Sequence, residues 1–188
     1  MEREKVALFD LDGTLADYDS SLISSLNDLR SPEEPEVIET PHDDAPKYLR
    51  ARADLIRSSI DWWAKLPKFQ LGFDVWEVAA KLNLSRMILT QGPRRNANAW
   101  SGKKIWIDLN LGPDVDITIT RNKGLVYGIL LVDDYPEYIE RWLKWRSRGL
   151  VIMPANERNR GFQHRQVIRY DGTNLDQVER AMIEVSLR

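Results

Sequence analysis

Apolar residues along the chain follow two rhythms, short unbroken runs and positions spaced three or four apart. Val6 to Phe9 is a short apolar run that stops at the turn signal Asp12-Gly13-Thr14, the pattern of a buried parallel strand followed by a loop. In "DSSLISSLNDL", Leu22, Leu26 and Leu29 recur at helical spacing, with Asp19 or Ser20 available as N-cap. Ser31 to Pro46 is rich in proline and acid and has little periodicity, so it reads as an exposed, flexible loop. Helical spacing resumes from Ala45 to Leu66, through Tyr48, Leu55, Ile56, Ile60 and Trp63, and again from Phe73 to Leu84.

From Met87 onward the two rhythms alternate. "MILT", "VDITIT", "GILLVDD" and "LVIM" read as strands, and "RRNANAWSGKKIWIDLNL" and "YPEYIERWLKWRSRG" as helices between them. In the second of these helices Ile139, Trp142 and Trp145 form one apolar stripe, with Arg141, Lys144, Arg146 and Arg148 on the solvated face. "QVIRY" offers an edge strand, and "TNLDQVERAMIEVSLR" closes the chain as a capped amphipathic helix. Strands alternating with helices predict an α/β fold with a parallel sheet covered on both faces.

Composition narrows the picture. A chain of 188 residues builds one good core with a small insert besides. A net charge of -2 and a pI near 5.8 supply no basic field, so no stable nucleic-acid partner is expected. The absence of cysteine excludes disulfides, thiolate metal sites and a thiol nucleophile. The apolar run in "MEREKVALFD" is too short for a signal peptide, and none reaches the roughly 18 residues of a membrane span. The expectation is a soluble, cytoplasmic protein without a membrane partner; a homodimer is left open.

In parallel sheets, ligands bind beyond the carboxyl ends of the strands. Four predicted strands carry polar or ionisable residues there: Asp10 and Asp12 after the first, Thr90 after the second, Arg121 and Lys123 after the third, Asp133 and Asp134 after the fourth. Each motif alone has an ordinary structural reading, since Asp-Gly turns are common and paired acids can cap a helix. Together, in this order, they point to one site. Crowded carboxylates need a cation, and an oxygen-only set without Cys or adjacent His selects Mg²⁺ over zinc. Mg²⁺ keeps phosphate oxygens in its octahedron, and Lys123 and Arg121 add countercharge, so the parts suit phosphoryl transfer with an aspartate nucleophile.

"FDLDGTLAD", "ILTQGP", the lysine of "TRNKG" and "LLVDDYPEY" resemble the four ordered motifs of the haloacid-dehalogenase (HAD) superfamily, over Phe9 to Tyr138. The resemblance implies a Rossmann-like core and an aspartyl-phosphate mechanism. Asp10 would be the nucleophile and Asp12 the acid and base. Thr90, Gln91 and Lys123 would hold the phosphoryl group, while Asp10, Asp12 through its carbonyl, Asp133 and Asp134 would organise Mg²⁺. Within that superfamily the chain is most similar to the 5'(3')-deoxyribonucleotidases, through "DLDGTLADYD", "TRNK", "LLVDDYPE" and "KKIW", which adds Lys103 to the phosphate set. This implies a nucleotide substrate, a core of residues 1–17 and 73–188, and a small helical cap of residues 18–72. The cap would carry a base pocket of Trp62, Trp63 and Tyr18; core packing is the competing reading of both tryptophans.

Two features depart from that family. Gln91 and Gly92 interrupt its Thr-Ser-Pro, with Arg94 or Arg95 in place of a lysine, and Tyr135 replaces an arginine before Pro136. A loop with Gly then Arg also resembles the phosphatase domain of polynucleotide kinase-phosphatases, so a polynucleotide 3'-phosphatase is the alternative. A non-catalytic HAD-like binding protein is the third reading, and retention of Asp10 and both later acids speaks against it.

Overall fold

A computed structural model describes residues 4–188; residues 1–3, the start of the charged N-terminal stretch, lie outside the described part. Six strands form one parallel sheet: β1 Val6–Phe9, β2 Ser85–Thr90, β3 Asp116–Ile119, β4 Leu130–Val132, β5 Leu150–Pro154 and β6 Val167–Tyr170. Their order is β3-β2-β1-β4-β5-β6, so the direction of winding reverses between β1 and β4. In a parallel sheet that reversal opens a crevice at the carboxyl ends, because the loops on either side lead away from each other.

Two compact units are present. The first, residues 4–15, 68–91 and 115–188 of the described part, holds the sheet together with helices α4 Gln70–Lys81, α6 Pro136–Leu143 and α7 Leu175–Ser186. The second, residues 16–67 and 92–114, is helical: α1 Tyr18–Asp28, α2 Lys47–Arg57, α3 Ile60–Ala64 and α5 Ala97–Asn110. Helix α5 therefore groups with the inserted helices although it follows β2 in the chain.

Strand alternation divides the sheet's apolar residues between two layers. Leu8, Leu89, Leu131, Val151 and Met153 pack with Ile139, Trp142 and Leu143 of α6. On the opposite face Phe9 meets Trp76 of α4 edge-on, with ring centroids 4.8 Å apart. Ala7, Leu8, Phe9 and all of β4 are fully buried, as a strand covered on both faces requires. Among the described residues no helix is long and apolar enough to cross a membrane.

Several local expectations are corrected. The helix expected from Ala45 to Leu66 breaks at Ser58, where the Ser59 hydroxyl accepts from the Trp62 N–H and starts α3 as a new helix. Leu55, counted on its apolar face, is exposed. The cap of α1 is Asp17, whose carboxylate accepts from the Ser20 N–H, and not Asp19 or Ser20. Helix α6 stops at Leu143, so Trp145 leaves the stripe and is 65% exposed. The closing helix α7 follows Asn174, whose side chain makes no capping bond. The Ser31–Pro46 segment is a loop, but it is tied down: Arg52 grips Glu34 with two hydrogen bonds of 2.5 and 2.9 Å, and Asn27 pairs with both main-chain groups of Val37.

Candidate active site

The backbone ladder carries the acids to the sheet edge. The Asp10 N–H donates to the Val132 carbonyl at 2.9 Å, and the Asp133 N–H donates to Ile152 at 3.3 Å, so both residues leave the sheet as continuations of paired strands. They emerge at the carboxyl ends of β1 and β4, on either side of the winding reversal. Thr90 is the last residue of β2 and is buried, with its carbonyl accepting from the Thr120 N–H at 3.0 Å. Lys123 opens a short 3-10 turn after β3 and is 2% exposed.

These residues meet in a charged cluster. The Lys123 ammonium lies 2.8 Å from Asp10 Oδ1 and 2.7 Å from Asp133 Oδ2, with all three side chains almost fully buried. Carboxylate oxygens of Asp10, Asp133 and Asp134 lie within 4.8 Å of one another. Asp10 and Asp133 thus share the Lys123 ammonium, with Asp134 beside them. Burial opposes the charge on Lys123, but Asp10 and Asp133 outweigh it and hold the lysine above its ordinary pKa. Burial also pushes the Asp133 carboxyl above the carboxylate range, and Asp10 adds to the rise, although Lys123 pulls against it.

A hard divalent cation suits this donor set. The donor set is oxygen only, and every member is a carboxylate of the kind Mg²⁺ accepts. Within it the two neighbouring acids differ. Asp133 already accepts from Lys123 at one oxygen and from the Tyr135 N–H, 3.0 Å away, at the other, and is fully buried. Asp134 accepts from the Thr14 hydroxyl at 3.3 Å and from the Asn156 amide at 2.8 Å. Asp10, Asp133 and Asp134 are the side chains among the described residues that could hold a cation. Gly13, at φ +73°, makes room for Asp134, since a Cβ there would sit 2.7 Å from its Oδ2.

The other expected residues fall in different places. Asp12 is half-buried in the loop after Asp10, and Gln91 is half-buried just after Thr90. Arg121 is exposed and makes no ion pair with the cluster among the described residues. Lys103 belongs to α5 in the helical unit, where it is 2% exposed with its ammonium 5.3 Å from the Trp63 ring centre. Tyr18, Trp62 and Trp63 form one aromatic cluster within that unit. Tyr18 stacks on Trp63 at 5.5 Å, and Trp62 meets both rings edge-on. Trp63 is packed as core, with its indole N–H donating to the Arg57 carbonyl at 2.7 Å and Gly102 closing against it. Trp62 is half-buried and donates to the Ser25 hydroxyl at 3.1 Å.

Sequence reasoning passed over a fifth contributor, the loop after β5. Asn156 and Asn159 in "PANERN" both reach Asp134, the first at its carboxylate and the second at its carbonyl, 3.1 Å away. The signal that could have found them was positional: this loop too leaves the carboxyl end of a central strand.

No protein-family model matches the chain. It is 28% identical over 136 residues to a curated Bordetella pertussis protein provisionally named a 5'(3')-deoxyribonucleotidase, covering 69% of this chain and 73% of that protein. A Bordetella bronchiseptica protein of the same name matches at 27% over the same length. Among solved structures, a haloacid dehalogenase-like hydrolase from Burkholderia xenovorans, itself provisionally assigned, aligns over the whole of both chains with a TM-score of 0.58 and 13% identity. A HAD hydrolase of family IA, variant 3, from Entamoeba histolytica aligns over 99% of this chain and 100% of its own, with a TM-score of 0.53 and 16% identity. At those identities the likeness to the solved structures is one of fold.

Proposed function

We propose that this chain, a haloacid-dehalogenase-type hydrolase in motif order and in fold, is a Mg²⁺-dependent phosphomonoesterase acting on nucleoside monophosphates. The observation that carries the reading is the buried meeting of Asp10, Lys123, Asp133 and Asp134 at the winding reversal of the sheet. Asp10, Asp134 and the main-chain carbonyl of Asp12 would hold the cation, with Asp133 supporting through Lys123. When bound, the cation supplies the countercharge that lets an anionic nucleophile approach an anionic phosphate.

The remaining steps belong to the chain's own groups. Asp10 attacks phosphorus, and the ester P–O bond breaks as the new P–O bond to its carboxylate forms. Asp12 protonates the departing oxygen, then takes a proton from the water that releases inorganic phosphate and restores Asp10. Lys123, fixed by two carboxylates, spreads charge off the phosphoryl oxygens, and the Thr90 hydroxyl holds one of them.

The nucleotide part of the reading draws on the names of the Bordetella relatives and on the ring surface of Tyr18 and Trp62, on which a base could stack. The loop Gly92-Pro93-Arg94-Arg95 favours a second reading, removal of a 3'-phosphate from a polynucleotide end. One assay separates them: phosphate release from nucleoside 5'- and 3'-monophosphates and from 3'-phosphorylated oligonucleotides, with Mg²⁺ and with a chelator. The expected result is Mg²⁺-dependent release from the monophosphates. Release from the oligonucleotides alone supports the second reading, and release that chelation leaves untouched contradicts both.

A further inference from the structure

The loop after β5 touches Asp134 in a manner that its fold role does not explain. The Asn156 amide N–H donates to Asp134 Oδ2 at 2.8 Å, shorter than the bond of 3.3 Å from the Thr14 hydroxyl. Which end of the Asn156 amide faces the acid is fixed by its other partner. The Asn159 main-chain N–H lies 2.9 Å from Asn156 Oδ1 and can only donate, so Nδ2 must point at the carboxylate.

The loop is locked against rotation. The Asn156 N–H donates to Asn159 Oδ1 at 3.1 Å, closing a reciprocal pair between the two residues. Arg169 of β6 clamps that pair, its Nε donating to Asn159 Oδ1 and its terminal nitrogen to the Asn156 carbonyl, both at 3.1 Å. Buried Asn159 spends its own amide on the carbonyls of Asp134 and Pro154. Both the side chain and the main chain of Asp134 are thereby tied to one rigid loop.

The chemistry of the donor matters as much as its position. A lysine or arginine at position 156 would fix Asp134 equally well, but its charge would compete with a cation. A neutral amide orients the carboxylate without adding a positive charge beside it. Asp133, by comparison, accepts from Lys123 at one oxygen and from the Tyr135 N–H at the other.

We infer that Asn156 is a positioning residue that pre-orients Asp134 for the divalent cation, with Asn159 and Arg169 holding it in place. The inference rests on the metal-dependent reading given above. Its test is calorimetric titration of Mg²⁺ into the substrate-free protein, with Mn²⁺ as a second probe, for the unsubstituted chain, Asn156→Ala and Asn156→Leu. Alanine removes the donor and leaves room for water, and leucine removes it while filling the space. Melting of the metal-free proteins is followed alongside.

Both variants should bind Mg²⁺ about 10–100-fold more weakly, the usual cost of losing a group that orients a ligand. Their kcat at saturating Mg²⁺ should fall far less than their metal affinity, and the metal-free melting temperatures should stay close to that of the parent. Lower melting temperatures with unchanged Mg²⁺ affinity in both variants would overturn the inference and leave the asparagine a structural residue. An unsubstituted chain that binds neither metal overturns the metal-dependent reading itself, and the inference with it.

Discussion

Asp12 and Asp10 lie two residues apart and are assigned opposite tasks, so their variants should behave differently. Asp12→Asn keeps the shape and removes the proton donor. General acid–base help is worth about 10²–10⁴-fold and is needed most by poor leaving groups. The variant should therefore lose far more turnover on an alkyl ester such as a nucleotide than on an activated aryl phosphate, which leaves without a proton. Equal losses on the two substrates would show that Asp12 does other work. At this scale the sequence was informative about charge and blind to support. Asp10, Asp133 and Asp134 were legible because each follows an apolar run and carries a charge that has no place in a core, and Lys123 only through its order among the motifs. Asn156 was not, because an asparagine in a loop looks the same whether it faces solvent or grips a carboxylate. Trp145 was misread because helical spacing says nothing about where the helix ends.

Elements matter through the points at which they press on the site. Helix α4 comes so close to the loop after β1 that a Cβ on Gly72 would lie 1.8 Å from the Thr14 carbonyl oxygen. Thr14 in turn donates to Asp134. Gly72→Ala must push the loop aside, at a cost of about 1–3 kcal/mol for an overpacked contact, and should lower both the midpoint of chemical denaturation and the phosphatase rate. A midpoint unchanged from the parent would show that the loop yields freely. The far edge of the sheet is tied to the same helix by the Tyr170 hydroxyl, which donates to Asp74 at 2.7 Å. Burial first, and then the Asp74 carboxylate, raise the Tyr170 pKa. A raised folded-state value means that the contribution is intact below the unfolded tyrosine pKa of about 10 and is lost as the pH climbs beyond it. Tyr170→Phe should thus be less stable than the parent at neutral pH, and its stability should fall less steeply above about pH 10, as read from denaturation midpoints across the alkaline range. Strand and helix identities were legible throughout from periodicity. The break at Ser58 was not, since Ile56, Ile60 and Trp63 keep one spacing across it while Ser59 caps a new start.

For the whole molecule, the parallel sheet followed from the alternation of runs, and its order was beyond reach of any local pattern. The grouping of α5 with the inserted helices was hidden for the same reason, since packing partners are not written in spacing. The proposed function gives a further expectation. None of the sheet-edge residues can read a base, and the aromatic cluster of Tyr18 and Trp62 is the proposed place of base selection. Trp62→Ala should raise KM for nucleotides by the equivalent of about 1–3 kcal/mol of stacking and leave a small phosphate ester nearly unaffected. Trp63→Ala, which empties a core position, should instead lower thermal stability by about 3–5 kcal/mol. Equal damage to both substrates by Trp62→Ala would move base recognition elsewhere. The central claim, that the buried acid cluster is a phosphoryl-transfer site with Asp10 as nucleophile, is tested most directly by phosphate release from a nucleoside monophosphate in saturating Mg²⁺, for the parent chain and Asp10→Asn. The account predicts turnover by the parent and a loss of several orders of magnitude in the variant with its fold intact by circular dichroism; near-parental turnover by a cleanly prepared Asp10→Asn protein would contradict it.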